Sequence, residues 1–338
     1  MEALAGIRRP ELAAHQERSR HLVSRLGGDR QYEEICADLD RAVEFSACEG
    51  RSVADAIAGY LGDLSGAARA QLGTIVWSLG TFVPRNLPVM PKAAGRLMKT
   101  TEEHTTTREL EDIAASDPVL AAGILQAANS ARFGSRFEIN NIRDAVMRVG
   151  VPEARKALFA SCVSRLFASK PLQEIWQHSQ FVADSAWEIA GIAGMEQEAA
   201  YVAGLLHDIG RLAFVTAPVK MREWEESFLE AGFPRVYAEA LVYQKDHAAF
   251  GADLLRKWTL PDGLVEAVEY HHRPELNKSA LQAVLHLAEE MSVRVAWTPE
   301  EDLWREMRRR AALDQLGIST GQLSDLATTQ KAGIRASA

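Results

Sequence analysis

Apolar positions recur at intervals of three and four residues through most of the chain, and strict apolar–polar alternation is almost absent. The first rhythm lines one face of a helix, whereas the second would make a half-buried strand. The pattern therefore predicts an all-α protein. Residues 1–80 divide into several short amphipathic helices. Ser52 is placed to cap SVADAIAGYLGDL, with Asp55 three residues on, and Ser65 to cap GAARAQLGTIVWSL. The segment PRNLPVMP, residues 84–91, then holds three prolines in eight positions. No helix interior tolerates that density, because each proline removes a donor and clashes with the preceding turn. This is a boundary or an extended connector.

Helical rhythm resumes beyond it. Thr107 is expected to cap RELEDIAAS, and Asp117 to cap PVLAAGILQAANSA with Pro118 at the first helical position. Gly150 should close IRDAVMRVG and Pro152 should open the next helix. Between them, Asn129 to Gly134 (NSARFG) interrupts the period with polar residues and a glycine. From Ile175 to Val295, helices alternate with turns marked by Gly191, Gly194, Gly210, Pro218, Gly232-Phe233-Pro234, Pro261 and Pro274. The end, DQLGISTGQLSDLATTQ, reads as one or two short helices followed by a frayed tail.

Composition sharpens this picture without changing it. Apolar residues make up 47% of the chain and charged residues 25%, the balance of a globular protein with a core. The abundance of Ala, Leu, Glu and Arg favours helices, since these side chains lose little freedom there. A net charge of −8 is not the footprint of a nucleic-acid binder, and none is expected as a partner. The basic run from Arg305 to Arg310 in WREMRRR reads as a solvated helix face. Cys36, Cys48 and Cys162 are far apart and odd in number, which fits a reducing compartment. The opening residues have no apolar h-region, and no stretch approaches the roughly 20 apolar residues of a membrane span. A cytoplasmic protein without membrane association is expected.

Candidate chemistry lies in the second half. Six of the nine histidines fall between positions 178 and 286: His178, His207, His247, His271, His272 and His286. Glu174 and His178 are four residues apart and share a helix face, offering oxygen and nitrogen ligands to a divalent metal. Taken alone, such a pair is more often a surface hydrogen bond. His207 and Asp208 end the apolar run AAYVAGLL, which would carry a charge into the interior. Burying that charge is costly without a partner, so a ligand pair is favoured over a simple capping aspartate. His247 and the His271-His272 pair lie within or just after amphipathic helices. Glu289 adds a carboxylate to the helix LHLAEEMSV, with His286 and Glu290 as neighbours that could take its place.

The order H…HD…H…HH…acid resembles the HD superfamily of metal-dependent phosphohydrolases. More closely, residues 84–295 resemble an HDOD domain, a regulatory relative of that superfamily. The stretches carrying this likeness are LPVMPKAAGRLM, SDPVLAAGILQAANSARFG, AVMRVGV, HSQFVA, AYVAGLLHDIGRLAF, HAAFGADLLRKWTLP, EYHH and HLAEE. The resemblance implies a multi-helical HD-type bundle with an N-terminal lobe at 84–170 and an HD-like lobe at 171–295. Residues 1–80 would be a helical extension and residues 296–338 a helical tail.

The same resemblance implies metal ligands at His178, His207, Asp208 and Glu289. By similarity to HD-GYP phosphodiesterases, Glu174, His247, His271 and His272 join them around one or two divalent ions, with Fe, Mn, Mg, Ni and Zn as candidates. Asp208 would bridge, and Arg211 would neutralise phosphate charge where HD-GYP enzymes place a lysine. Two departures matter. Glu289 stands where the superfamily has aspartate, and HHRPELNKS lacks the GYP signature, which counts against cyclic-dinucleotide hydrolysis. The implied function is signal transduction by a regulatory module that binds a signalling protein or a nucleotide. The alternative is a metal-dependent phosphohydrolase or phosphodiesterase. A plain helical scaffold with structural histidines fits the retained ligand series less well.

Overall fold

A computed structural model describes residues 82–84, 87–99, 104–130, 133, 138–230, 235–243, 245–272, 279–292 and 303–337. The expected helices at residues 1–80 and the turn signals at Gly232-Phe233-Pro234 and Pro274 lie outside these. Every regular element among the described residues is a helix, and no strand occurs among them. The first lobe comprises α1 (Lys92–Leu97), α2 (Thr107–Ala115), α3 (Pro118–Ala128), α4 (Ile142–Val149) and α5 (Val151–Ser164). The second comprises α6 (Gln173–Ile192), α7 (Gln197–Leu206), α8 (Arg211–Phe214), α9 (Val219–Glu230), α10 (Arg235–Tyr243), α11 (His247–Lys257), α12 (Asp262–Glu269) and α13 (Ala280–Ser292). Two further helices, α14 (Leu303–Leu316) and α15 (Thr320–Ser337), follow.

Local chemistry sets the helix starts. Asp117 accepts a hydrogen bond from the Val119 amide at 2.8 Å, and Pro118 opens α3 as expected. The cap of α2 is Thr106 rather than Thr107: its hydroxyl accepts from the Glu109 amide at 3.2 Å, and Thr107 is the first helical residue. Adjacent threonines are equivalent as cap chemistry, and only the backbone turn chooses between them. Gly150, at φ 81°, closes α4 in a conformation that side chains resist. At the start of the interrupted stretch, Asn129 binds both the amide and the carbonyl of Ile139 at 2.8 Å, closing a loop back onto the end of α3.

The end of the chain departs from expectation. Two full helices reach Ser337 instead of short helices and a frayed tail. Gly317 at φ 65° separates them, and Ala312, Leu313, Ile318 and Leu323 are buried on the main core. That burial is what holds them. In the basic run, Arg309 pairs with Glu290 at 3.1 Å, so it is drawn onto α13 rather than left on a solvated face.

One continuous core joins Leu110, Ile124 and Leu158 of the first lobe to Val182, Leu205, Val268 and Leu287 of the second. A buried arginine fastens them polarly. Arg155 on α5 donates from Nε to both Glu198 oxygens at 2.8 and 2.9 Å, from Nη1 to Thr105 at 2.5 Å, and from Nη2 to the Leu97 carbonyl at 2.7 Å. The proline-rich connector lies against the second lobe. Phe82 packs with Phe214, Tyr243 and Phe250, and the Trp258 indole donates to the Pro88 carbonyl at 3.1 Å.

Replacing Arg155 by Met strands Glu198 and the Leu97 carbonyl without their cation. Breaking one side of a buried pair costs about 3–5 kcal/mol, so the Arg155→Met variant should show a lower urea midpoint. An unchanged midpoint would show that the clamp does not hold the lobes together.

Candidate metal centre

Five stretches of chain deliver polar groups to one point in the second lobe. On α6, the inner face is made by Ile175, Ser179, Val182 and Ala186, and His178 lies on its edge. Residues 200–210 are buried without exception. A helix apolar on all sides belongs in an interior, and α7 carries His207 and Asp208 there at its C-terminal end. Gly210 follows because nothing larger fits. A Cβ at that position would stand 1.9 Å from the His247 carbonyl oxygen and 2.5 Å from the Gly251 amide. This close approach sets α11 beside the His-Asp turn, with His247 as its first residue and Asp246 as its cap. The turn after α12 carries His271 and His272, and α13 carries Glu289.

The polar atoms meet at ligand distances. His178 Nε2 lies 3.0 Å from His207 Nε2, and Glu289 Oε2 lies 3.1 and 3.2 Å from the same two atoms. Asp208 stands between this cluster and a second one. Its Oδ2 is 3.8 Å from His178 Nε2, and its Oδ1 is 3.1 Å from His247 Nε2. His247 Nε2 in turn lies 2.9 Å from His272 Nε2, and His271 completes that group. Two nitrogens bound to one ion at about 2.0–2.1 Å with angles near 90–110° stand about 2.9–3.4 Å apart. The two nitrogen–nitrogen spacings, 3.0 and 2.9 Å, fall in that window.

Tautomers point the same way. His207 Nδ1 is 2.7 Å from the Gly204 carbonyl, and His271 Nδ1 is 2.6 Å from the Val268 carbonyl. A carbonyl can only accept, so both Nδ1 atoms carry hydrogen. In the neutral rings each Nε2 then presents a lone pair inward. His271 Nε2 and Glu289 Oε2 are buried with no hydrogen-bond partner. A pocket lined by inward lone pairs and carboxylates needs positive charge, supplied by protons or by a metal. The donor set of imidazoles and carboxylates fits a divalent transition metal.

Without metal, protons take that role unevenly. Burial opposes charge on His247, but the carboxylates of Glu239 and Asp208 outweigh it and raise its pKa to about 10. Burial, reinforced by His207 and His247, drives His271 down to about 3, and burial with His271 and His247 beside it holds His272 well below its ordinary value. Burial would raise Asp208 and Glu289, yet the surrounding histidines hold both well below the usual carboxylate range.

The structure thus brings together His178, His207, Asp208, His247, His271, His272 and Glu289. Glu174 is not gathered in. It is exposed in the first turn of α6, outside both clusters. Sharing a helix face with His178 does not carry it inward: it lies one turn earlier, at the exposed start of α6, while Ile175 beside it takes the inner face. Between the neighbouring acids, Glu289 faces the cluster, whereas Glu290 pairs with Arg309 and lies 3.8 Å from His286. Arg211 opens α8 with Nη1 2.9 Å from Asp208 Oδ2. Glu239 was missed by the sequence reading. It is fully buried on α10, and its Oε2 accepts from the His247 amide at 2.9 Å and from His247 Nδ1 at 2.5 Å. The available signal was a lone acid in the otherwise apolar run YAEALVY.

Comparison with known proteins matches this arrangement to a family. The family model described as the HDOD domain covers residues 87–274. A crystal structure of an HDOD domain protein from Geobacter sulfurreducens is 24% identical, covers 80% of this chain and 97% of its own, and has a TM-score of 0.65. A Shewanella amazonensis protein provisionally described as a phosphohydrolase is 26% identical, covers 77% of this chain and 94% of its own, and has a TM-score of 0.59. Ribonuclease Y of Thermus thermophilus is 28% identical over 177 residues, 52% of this chain and 26% of that protein. The chain spans less than half the length of the curated relatives it matches first, 45% and 26% respectively. No helix among the described residues is long and apolar enough to cross a membrane.

Two outcomes follow for the protein in solution. Gly210→Ala forces α8 from α11, and overpacking of this kind costs about 1–3 kcal/mol; a lowered thermal midpoint with weakened metal uptake checks it. The metal-free chain should also be most stable near pH 6.5. His271, at about 3 when folded against 6.5 when unfolded, removes stability as the pH falls through that window. The depressed Asp208 and Glu289 add their loss as the pH falls from their ordinary values of 3.8 and 4.5. His247, at about 10, contributes stability that is complete below pH 6.5 and fades as the pH rises toward 10. Urea midpoints across the range should therefore form a dome, and a flat profile would contradict it.

Proposed function

The chain belongs to the HDOD domain family, and we propose that it is a regulatory member that holds one or two divalent cations and acts by binding a signalling protein or a nucleotide. The observation supporting this most is the meeting of His178, His207, Glu289 and Asp208 within 3.0–3.8 Å. His247, His271 and His272 form the adjoining nitrogen-rich cluster, and Asp208 lies between the two, with Oδ1 3.1 Å from His247 and 3.7 Å from His207 and Oδ2 3.8 Å from His178. When bound, such cations supply positive charge to phosphate oxygens and a water of lowered pKa.

The chain's own groups suit a phosphate ligand. Asp208 holds the Arg211 guanidinium through one nitrogen, and the planar fork offers further N–H donors to phosphate oxygens. His178, with 26% of its side chain exposed, forms the open edge of the site, while His207 and His247 are sealed beneath it. The missing GYP signature favours binding over cyclic-dinucleotide turnover. The longer arm of Glu289 nevertheless reaches both histidines of its cluster.

A second reading, a metal-dependent phosphodiesterase, is favoured by Asp208 facing both clusters with Arg211 beside it. The relatives described as a ribonuclease and a phosphohydrolase lend it support. One experiment separates the two. Elemental analysis and metal titration of the full chain should show bound divalent metal, lost in Asp208→Asn. The same samples, with Glu289→Asp, are then assayed on bis(p-nitrophenyl) phosphate and single-stranded RNA. Metal without turnover in any form supports the regulatory reading, and turnover by the native chain replaces it with the second. A native chain that takes up no metal overturns both.

A further inference from the structure

We infer that Glu239 is a positioning residue for the His247 cluster, holding the His247 ring and supplying the negative charge that this cluster lacks among its own ligands. The inference rests on the metal reading above. The two clusters are unequal in charge. The first has Glu289 to itself and a share in Asp208, whereas the second has three imidazoles and only the share in Asp208. Glu239 stands one hydrogen bond behind that second cluster. Its Oε2 accepts from His247 Nδ1 at 2.5 Å and from the His247 backbone amide at 2.9 Å, so ring and main chain are gripped by one atom. A carboxylate on Nδ1 selects the tautomer whose Nε2 lone pair faces the cluster and makes that nitrogen a stronger donor to a cation. Glu239 has no exposure, and its Oε1 has no hydrogen-bond partner. A carboxylate so placed needs positive charge close by; the Arg211 guanidinium supplies part of it, and a cation on the His247 cluster would supply more. Its only hydrogen-bonded contacts among the described residues are to His247.

The test is titration of the metal-free full chain with cobalt(II) chloride, followed by calorimetry and by the visible spectrum of nitrogen-coordinated cobalt. The native chain should bind two equivalents. In Glu239→Gln, which keeps the volume and loses the charge, the second equivalent should weaken by about 10–100-fold while the first is unchanged. The retained first equivalent also reports an intact fold. Asp253→Asn, a partly buried acid further along α11 that pairs with Lys245 and Arg256, should leave both equivalents as in the native chain. If Glu239→Gln leaves the second equivalent unchanged, or weakens both alike, Glu239 has no such role and the metal reading stands. Failure of the native chain to bind a second equivalent also removes this inference, and failure to bind any cobalt removes the metal reading with it.

Discussion

Burial of the Asp208 carboxylate is the constraint on which the second lobe is built. An ionised acid inside an apolar bundle is tolerated only where cationic or strongly donating groups surround it. Here His207, His247 and Arg211 do so, each from a different element: the end of α7, the start of α11 and the start of α8. Each contact fixes a helix terminus. The apolar run that carries Asp208 inward, the absent side chain at Gly210 and the histidine that begins α11 are parts of one solution. Changing any one of them changes how near the others can come.

The ligands are arranged at helix ends and on one helix edge, where small rotations would move them most. That arrangement is held by two supports outside the clusters. Arg155 joins α5 to α7 and to the loops flanking α1 and α2, while Phe82 and Pro88 bind the connector to α8, α10 and α11. The connector's grip is close to the chemistry, since Phe214 is in the same short helix as Arg211 and stacks on Tyr243 at 4.2 Å.

Residues that share a family's ligand pattern do not share its chemistry by that fact alone. The two clusters here keep every histidine of the pattern, yet the acid on α13 is longer and the signature after His272 differs. Neither difference keeps the side chains from converging. Convergence is decided by packing beneath the site, and that packing is intact.

Much of this was legible in the chain itself, because the relevant physics is local. Helical periodicity, the absence of alternation and the cap at Asp117 depend on neighbours within a turn, and so does the left-handed stop at Gly150. The inward passage of His207 and Asp208 was also readable, since an apolar run leaves a following charge nowhere else to go. Other choices were made only by packing between distant elements. Adjacent residues on a helix point about 100° apart, so periodicity alone does not choose Glu289 over Glu290; the family resemblance pointed to Glu289, and in the fold α14 claims Glu290 through Arg309. Glu174 matches the spacing of a ligand, but its place at the exposed start of α6 leaves it outside. Glu239 carries no motif at all, and its partnership with His247 exists only because α10 is laid against the start of α11. Local pattern decides what a residue can do, and long-range packing decides which residues are brought within 3 Å of one another to do it.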